Sequence, residues 1–207
     1  MAQPPVVSAE EWQQARDDLL KAEKEATRAL DALAARRRRL PMVKFSDHYV
    51  FNTPDGHRSL ADLFRGRDQL AVYQFMDVGP GKFCPGCTAF TKNIAHLDGL
   101  AQCGISWSNV SNMPLPQIQE YKAQMGWTVP FASSYGTSFA ADCGAADGFA
   151  LSMFLRDGSD VYRTYSTTAR GVDRTMFIHN ILDLSVYGRQ EDWEDSPPGW
   201  PQEPTYG

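Results

Sequence analysis

The chain has little cysteine, no long apolar run and no excess of positive charge. Four cysteines in 207 residues are too few for a disulfide-stapled scaffold. In a cytosolic chain they are expected to be reduced, catalytic or metal-bound rather than structural cross-links. No apolar run approaches the roughly 20 residues that a membrane-spanning helix needs. The opening MAQPPVVSAEEW lacks a basic head followed by an apolar core, so no secretory signal is expected and the cytoplasm is the expected setting. With 20 Lys and Arg against 25 Asp and Glu, the net charge is -5, which argues against a nucleic-acid groove, because phosphate binding needs concentrated positive charge. The one basic run, Arg36 to Arg39, suits a solvated helix end facing the negative pole of the helix dipole. Neither nucleic acid nor a membrane is therefore an expected partner. There is no internal repeat, and the length allows one domain with a real core plus an appended segment.

The secondary-structure signals run in a definite order. Ser8 and Glu11 form a capping box, and nothing breaks the segment that follows until about Ala35. Trp12, Ala15, Leu19, Ala22, Ala26, Ala29 and Leu33 recur at spacings of three and four, making a narrow apolar stripe that either covers the body of the domain or pairs with a second copy in a homodimer. After Leu40-Pro41, the segment KFSDHYVFNTPDGHRSLADLF reads as a strand, a Pro54-Asp55-Gly56 turn and a return. Gln69 to Met76, QLAVYQFM, reads as a buried central strand. A helix is expected from Cys84 to about Gly99, a strand over GISWSNVS, and a helix from Pro114 through PQIQEYKAQMG. Trp127 to Gly148 reads as a serine- and glycine-rich loop whose Trp127, Phe131, Tyr135 and Phe139 either anchor it in the core or line a substrate groove. ALSMFLRDGSDVYRTYSTT is a hairpin turning at Asp157-Gly158, and RTMFIHNILDLSVYG a closing helix stopped by Gly188. The acidic, proline-rich tail is expected to lie extended on the surface. The expected architecture is α/β, a mixed central sheet with helices on both faces. A helical arm (1–40), a main domain (41–188) and a tail (189–207) would make up the chain.

The segment that carries chemistry is Cys84-Pro85-Gly86-Cys87. At a helix start, Cys84 is the capping residue and Pro85 the first helical position, where a missing N–H costs nothing. The free amides of that turn and the positive dipole end then hold the Cys84 sulfur as a thiolate, with a pKa well below the about 8.5 of a free thiol. Lys82 acts in the same direction if it leans over the site. Cys87, one turn in, is placed to attack a mixed disulfide formed at Cys84. A structural zinc site needs a second Cys or His pair at matching spacing, whereas Cys103 and Cys143 stand alone and His48, His57, His96 and His179 are scattered. A copper carrier needs the two thiolates and a distant histidine, for which His179 is the candidate. Neither metal nor cofactor is expected. Cys103 is expected to be a small buried hydrophobe and Cys143 a candidate resolving thiol. Arg170 and Asp173 either approach the site or form a surface salt link.

The order strand, CxxC, helix, strand, helix, hairpin, helix is similar to the thioredoxin superfamily, in particular its peroxiredoxin-like branch with an extra amino-terminal hairpin. The segments SLADLFRGRDQLAVYQFM, CPGC, YKAQMGWTVPFASSYG, FLRDG, YRTYSTTARGVD and LDLSVYGRQEDWEDSPPGWPQ resemble the bacterial thioredoxin-like family of unknown function numbered eight-nine-nine, over nearly the whole chain. The resemblance implies a thioredoxin-like fold and, by wider analogy, a nucleophilic Cys84 resolved by Cys87. Two departures stand out. Thioredoxins carry Cys-Gly-Pro-Cys after a tryptophan, whereas Phe83 precedes Cys-Pro-Gly-Cys here. Where thioredoxins hold a cis-proline ahead of the hairpin, this chain offers Leu151 or Ser152. The expected activity is thiol-disulfide exchange with a protein or small-molecule disulfide, the alternatives being a thiol peroxidase or a noncatalytic thioredoxin-fold binding protein.

Overall fold

The computed structural model of the chain describes residues 2–46, 48–94 and 96–203. By compactness the chain divides into two units, one made of the first arm through Pro41 with the chain from Leu182 on, the other of Met42–Ile181.

In the first unit, helix α1 (Ala9–Arg37) starts at the Ser8–Glu11 capping box. The Glu11 amide donates to the Ser8 hydroxyl at 3.2 Å and the Ser8 amide donates to the Glu11 carboxylate at 3.0 Å, so two otherwise orphaned donors are satisfied. Arg36 and Arg37 occupy the last turn, where cations meet the negative end of the helix dipole. No residue of α1 is buried, and Trp12 and Leu19 of the apolar stripe keep 59% and 55% of their surface. The segment expected to lie extended as a tail folds into turns instead: the Glu194 amide bonds back to Glu191, and its carboxylate accepts from the amides of Arg189 and Gln190 at 3.0 and 2.7 Å. Arg189 forks onto Asp183 at 2.7 and 3.2 Å. The last four residues of that tail, 204–207, lie outside the described residues.

The second unit is an eight-stranded sheet. In chain order it contains β1 (Val43–Phe45), β2 (Phe51–Thr53), β3 (Gly56–Arg58), α2 (Leu60–Leu63), β4 (Gln69–Phe75), α3 (Pro85–Lys92), α4 (Leu97–Gln102), β5 (Ile105–Ser111), α5 (Leu115–Met125), β6 (Phe131–Ser133), α6 (Phe139–Asp142), β7 (Ala150–Asp157), β8 (Asp160–Thr167), a 3-10 turn (Ala169–Thr175) and α7 (Phe177–Leu182). The sheet order is β1-β8-β7-β4-β5-β6-β2-β3. β4 runs parallel to β5 and antiparallel to β7, and β7 and β8 form the hairpin. The run β8-β7-β4-β5, with a helix after β4 and another after the hairpin, is the thioredoxin arrangement. β2 and β3 add the amino-terminal hairpin on the far edge.

β4 is buried over its last six residues, as an apolar run covered on both faces should be. Its side chains alternate between two cores: Leu70 and Val72 join Phe45, Phe51, Phe139 and Phe154 on one face, while Tyr73 and Phe75 join Cys84, Cys87 and Phe90 on the other.

Three expectations need correction. The helix from Cys84 does not run to Gly99. It ends at Lys92, because the Asn93 side chain turns back to donate to the Ala89 carbonyl at 2.8 Å while its oxygen accepts from the Ile178 amide at 3.0 Å. α4 then begins afresh after His96, whose left-handed backbone (φ 54°) resets the direction. The segment from Trp127 to Gly148 is not a plain loop but carries β6 and α6. Its serines hid this: Ser133 and Ser134 are fully buried, and their hydroxyls donate to the Met113 carbonyl at 2.7 Å and the Asn112 side chain at 2.8 Å. The closing helix stops at Leu182 rather than at Gly188, because both the amide and the hydroxyl of Ser185 close onto the Leu182 carbonyl.

Phe139 is sealed and meets Phe51 and Tyr49 edge-on at 4.9 and 5.1 Å. Phe139→Ala should therefore cost about 3–5 kcal/mol in equilibrium urea unfolding. Tyr135→Ala, at a ring that keeps 61% of its surface, should shift the same curve by less than about 0.5 kcal/mol. Equal effects would show that α6 does not pack as described.

Candidate functional site

α3 begins where the chain returns to the sheet after β4. Cys84 is its capping residue, with extended backbone (φ -62°, ψ 118°), and Pro85 occupies the first turn. Proline suits this position because its fixed φ matches the helix and it brings no amide needing a partner. The Cys87 amide donates to the Cys84 sulfur at 3.2 Å. Thr88 ties the turn down twice, its amide and its hydroxyl both donating to the Cys84 carbonyl at 2.9 and 2.8 Å. All four cysteines are free thiols.

The two sulfurs differ in electrostatics. The Cys84 thiol is pushed down to about 6, first by the hydrogen bond from the Cys87 thiol and then, against the cost of burial, by the amides of Cys87 and Gly86. The Cys87 thiol is driven up, first because it donates to Cys84 and then because it is buried. One proton is thus shared unequally, with the charge on Cys84. Access follows the same division: Cys84 retains 5% of its surface and Cys87 none.

Two groups stand ready for charge on Cys87. The Met76 amide, at the end of β4, donates to its sulfur at 3.4 Å, and the Tyr73 hydroxyl also bonds to it, both favouring the ionised form. Tyr73 is itself held by stacking on Phe90 at 3.9 Å. Beside Cys84, Phe83 stacks on Tyr121 at 3.4 Å, Tyr121 meets Trp127 edge-on at 5.3 Å, and the Tyr121 hydroxyl shares a 2.7 Å bond with Thr88. An aromatic wall therefore flanks the capping turn. Sequence reasoning missed Tyr73, Phe83 and Tyr121 as site residues. The available signal was a hydroxyl-bearing ring in an otherwise apolar central strand that leads directly into the cysteine loop.

The remaining residues singled out in the sequence are dispersed. Cys103 caps the carboxyl end of α4 and is exposed, contrary to the expectation of a buried hydrophobe, because the helix expected to carry it inward breaks at Asn93. Cys143 is buried in the core on the opposite face of the sheet from Cys84 and Cys87, where burial pushes its thiol up to about 12. Lys82 lies exposed on the preceding turn, its amide bonded to the Gly79 carbonyl. Arg170 and Asp173 approach each other at 3.7 Å, and Asp173 also lies 3.5 Å from buried His179. Between them Val172 and Met176 pack into the core that holds both cysteines. Trp127 and Phe131 pack into that same core, Phe139 into the other, and Tyr135 is exposed. Among the described residues, no group of three or more His, Cys, Asp or Glu is placed to hold a metal ion. No helix among them is long and apolar enough to cross a membrane.

Residues 1–206 match the family described as bacterial protein of unknown function (DUF899). The chain belongs to this family. No curated protein sequence matches it. Similar solved structures include peroxidoxin BcpB from Mycobacterium tuberculosis, 14% identical, covering 66% of this chain and 93% of that one with a TM-score of 0.48. An uncharacterized conserved protein from Geobacillus kaustophilus is 16% identical over 60% and 68% of the two chains, with a TM-score of 0.45. A PrxQ from Xylella fastidiosa is 18% identical over 70% and 94%, with a TM-score of 0.43.

Folding lowers the Cys84 pKa from an ordinary 9.0 to about 6. Its ionisation therefore stabilises the reduced fold progressively from about pH 6 up to about pH 9, and that contribution is lost as pH falls through the folded value. Cys87, whose pKa rises, acts oppositely and weakens the fold above about pH 9. In the reduced protein, ultraviolet thiolate absorbance should reveal one sulfur ionising near pH 6. The stability difference between the parent and Cys84→Ser should grow over the same window. A first thiolate appearing only near pH 9 would contradict this division of charge.

Proposed function

We propose that this family member is a thiol-disulfide oxidoreductase in which Cys84 attacks and Cys87 resolves. The observation that carries the reading is the Cys84 sulfur capping a helix next to a sealed Cys87 thiol, with a pKa pushed down to about 6.

The electron balance is straightforward. The Cys84 thiolate attacks one sulfur of a substrate disulfide, forming a mixed disulfide and expelling the other substrate sulfur as a thiolate. Cys84 then carries no charge, so the hydrogen bond to its thiolate that had done most to hold the proton on Cys87 is gone. The Met76 amide and the Tyr73 hydroxyl remain to stabilise a thiolate on Cys87. Cys87 gives its proton to the departing thiolate through solvent, attacks the Cys84 sulfur and releases the second substrate thiolate. The substrate gains two electrons and leaves as one thiol, protonated by the Cys87 proton, and one thiolate that takes its proton from solvent, while the protein keeps a Cys84–Cys87 disulfide. Run backwards, the same steps oxidise a dithiol. The substrate is a protein or small-molecule disulfide presented against Phe83 and Tyr121. The reading sets the protein in the reducing cytoplasm, where such a pair is recycled rather than left oxidised.

A peroxidase would share the Cys84 nucleophile, but it would spend peroxide rather than a disulfide. A purely structural binding protein would have no use for a thiol ionised at neutral pH.

Equilibration in graded reduced and oxidised glutathione, followed by maleimide trapping, should show Cys84 and Cys87 lost together as one intramolecular disulfide while Cys103 stays labelled. Cys87→Ser should instead accumulate the glutathione mixed disulfide on Cys84. Failure to form the intramolecular disulfide at any buffer ratio would refute the reading. Oxidation of Cys84 by hydrogen peroxide far faster than by a disulfide would favour the peroxidase.

A further inference from the structure

A second cleft opens at the amino-terminal end of the parallel pair β4–β5, the opposite end of β4 from its exit toward the cysteine loop. Its cavity of about 670 Å³ is lined by Arg65, Arg67, His96, Asp98, Trp107 and Thr128, among others. That volume is within the usual range for small-molecule sites. An adjoining cavity of about 350 Å³ shares Arg65 and Thr128 and adds Arg58 and Lys122, with Asp55 and Asp62.

The two cavities together present Arg58, Arg65, Arg67 and Lys122 against Asp55, Asp62 and Asp98. Arg67 is fixed by donating from Nε to the Ala101 carbonyl at 3.1 Å and from Nη1 to the Ser106 hydroxyl at 3.2 Å, both neutral acceptors. Ser106 is anchored in turn to the Phe64 carbonyl at 2.5 Å. Among the described residues, Arg65, Arg67 and Lys122 form no ion pair within 4.0 Å. The cations also act on one another: burial and then the Arg65 charge lower the Lys122 pKa, while burial and then Arg67 lower that of Arg65, with Asp55 offsetting part. Asp62 accepts from the Ser59 amide and hydroxyl at 2.7 and 2.8 Å through one carboxylate oxygen, in the cap of α2.

The backbone is held in costly conformations at the same place. Of the four non-glycine residues with positive φ among those described, Arg65 (50°) and His96 (54°) both line this cleft. Such conformations persist where the surroundings demand them, and they concentrate at binding and catalytic sites.

We infer that this cleft is a binding site for a small-molecule oxyanion, a phosphate ester or a carboxylate, received between Arg65, Arg67 and Lys122. An anion would relieve the repulsion of Arg65 by Arg67 and by Lys122 and meet Nη2 of Arg67, whose guanidinium is already fixed through Nε and Nη1. Trp107 supplies an apolar surface for the body of the ligand. The site shares no residue with the cysteine pair and does not depend on its redox reading.

The test uses the full-length reduced protein and isothermal titration calorimetry, with inorganic phosphate and citrate as separate titrants at ionic strength fixed by sodium chloride. At least one of the two should bind with a Kd of about 1 mM or tighter, and the tighter one tells phosphate from carboxylate chemistry. Arg65→Asn keeps a residue that tolerates positive φ while removing the charge, and Lys122→Gln neutralises a partly exposed position on α5. Each should weaken binding at least about tenfold, with the Cys84 titration and the ligand-free melting temperature unchanged. Cys84→Ser should bind as the parent does. Absence of binding by both ions, or binding in both charge variants as tight as in the parent, would overturn the proposal.

Discussion

The site depends on one turn, in which first the thiol and then the amide of Cys87 donate to the sulfur of Cys84. A helix start has amides without intrahelical partners. An oxygen side chain usually answers them, as Ser8 does in α1 and Ser59 in α2. At α3 a sulfur takes that place. Because a thiol accepts hydrogen bonds weakly and a thiolate well, the cap itself draws the sulfur toward ionisation. A structural necessity of the helix thereby becomes a chemical bias.

The sheet supplies the rest. β4 lies between β5 and β7 and delivers Tyr73 and the Met76 amide to the buried sulfur of Cys87. Burial alone would keep Cys87 protonated, and the pull of the Cys84 charge does so more strongly. On the proposed reading, the Tyr73 hydroxyl and the Met76 amide just past β4 take over once that charge is gone. The same strand that buries the Cys87 thiol also supplies, on that reading, the donors for its thiolate in the mixed disulfide. Cys143 illustrates the contrast: it is equally buried, but on the far face of the sheet, where it has neither a partner thiol nor a helix start, and its thiol is simply held neutral.

Much of this was legible along the chain because it is local. Capping boxes, the apolar run of β4, the Asp157-Gly158 hairpin turn and proline one residue after a cysteine each speak through neighbours three or four positions apart. What was not legible depends on distant partners. The break after α3 needs Asn93 to accept from Ile178, and β6 needs its buried serines to find Asn112 and Met113, so a polar composition concealed an interior strand. Tyr73 joins the site through a bond across fourteen positions of sequence that no spacing rule announces. The cationic cleft brings Arg65 and Arg67, from the connection between α2 and β4, near Lys122 on α5, and in the sequence each looks like an ordinary surface charge.

The order of the two residues between the cysteines also has a physical consequence. With Cys84 as cap, Pro85 stands at the first helical position, whose amide points away from the capping atom, and the next two amides, of Gly86 and Cys87, remain free to donate to sulfur. Both contribute to the lowered pKa of Cys84. The reversed dipeptide, glycine then proline, would put the ring at the second position and delete one of those two donors. It would also free the first position from the fixed φ that sets the entry of the helix. The Cys-Pro-Gly-Cys order therefore retains both backbone donors to the Cys84 sulfur, and leaves the absence of an amide at the one position of the turn where it costs the thiolate nothing.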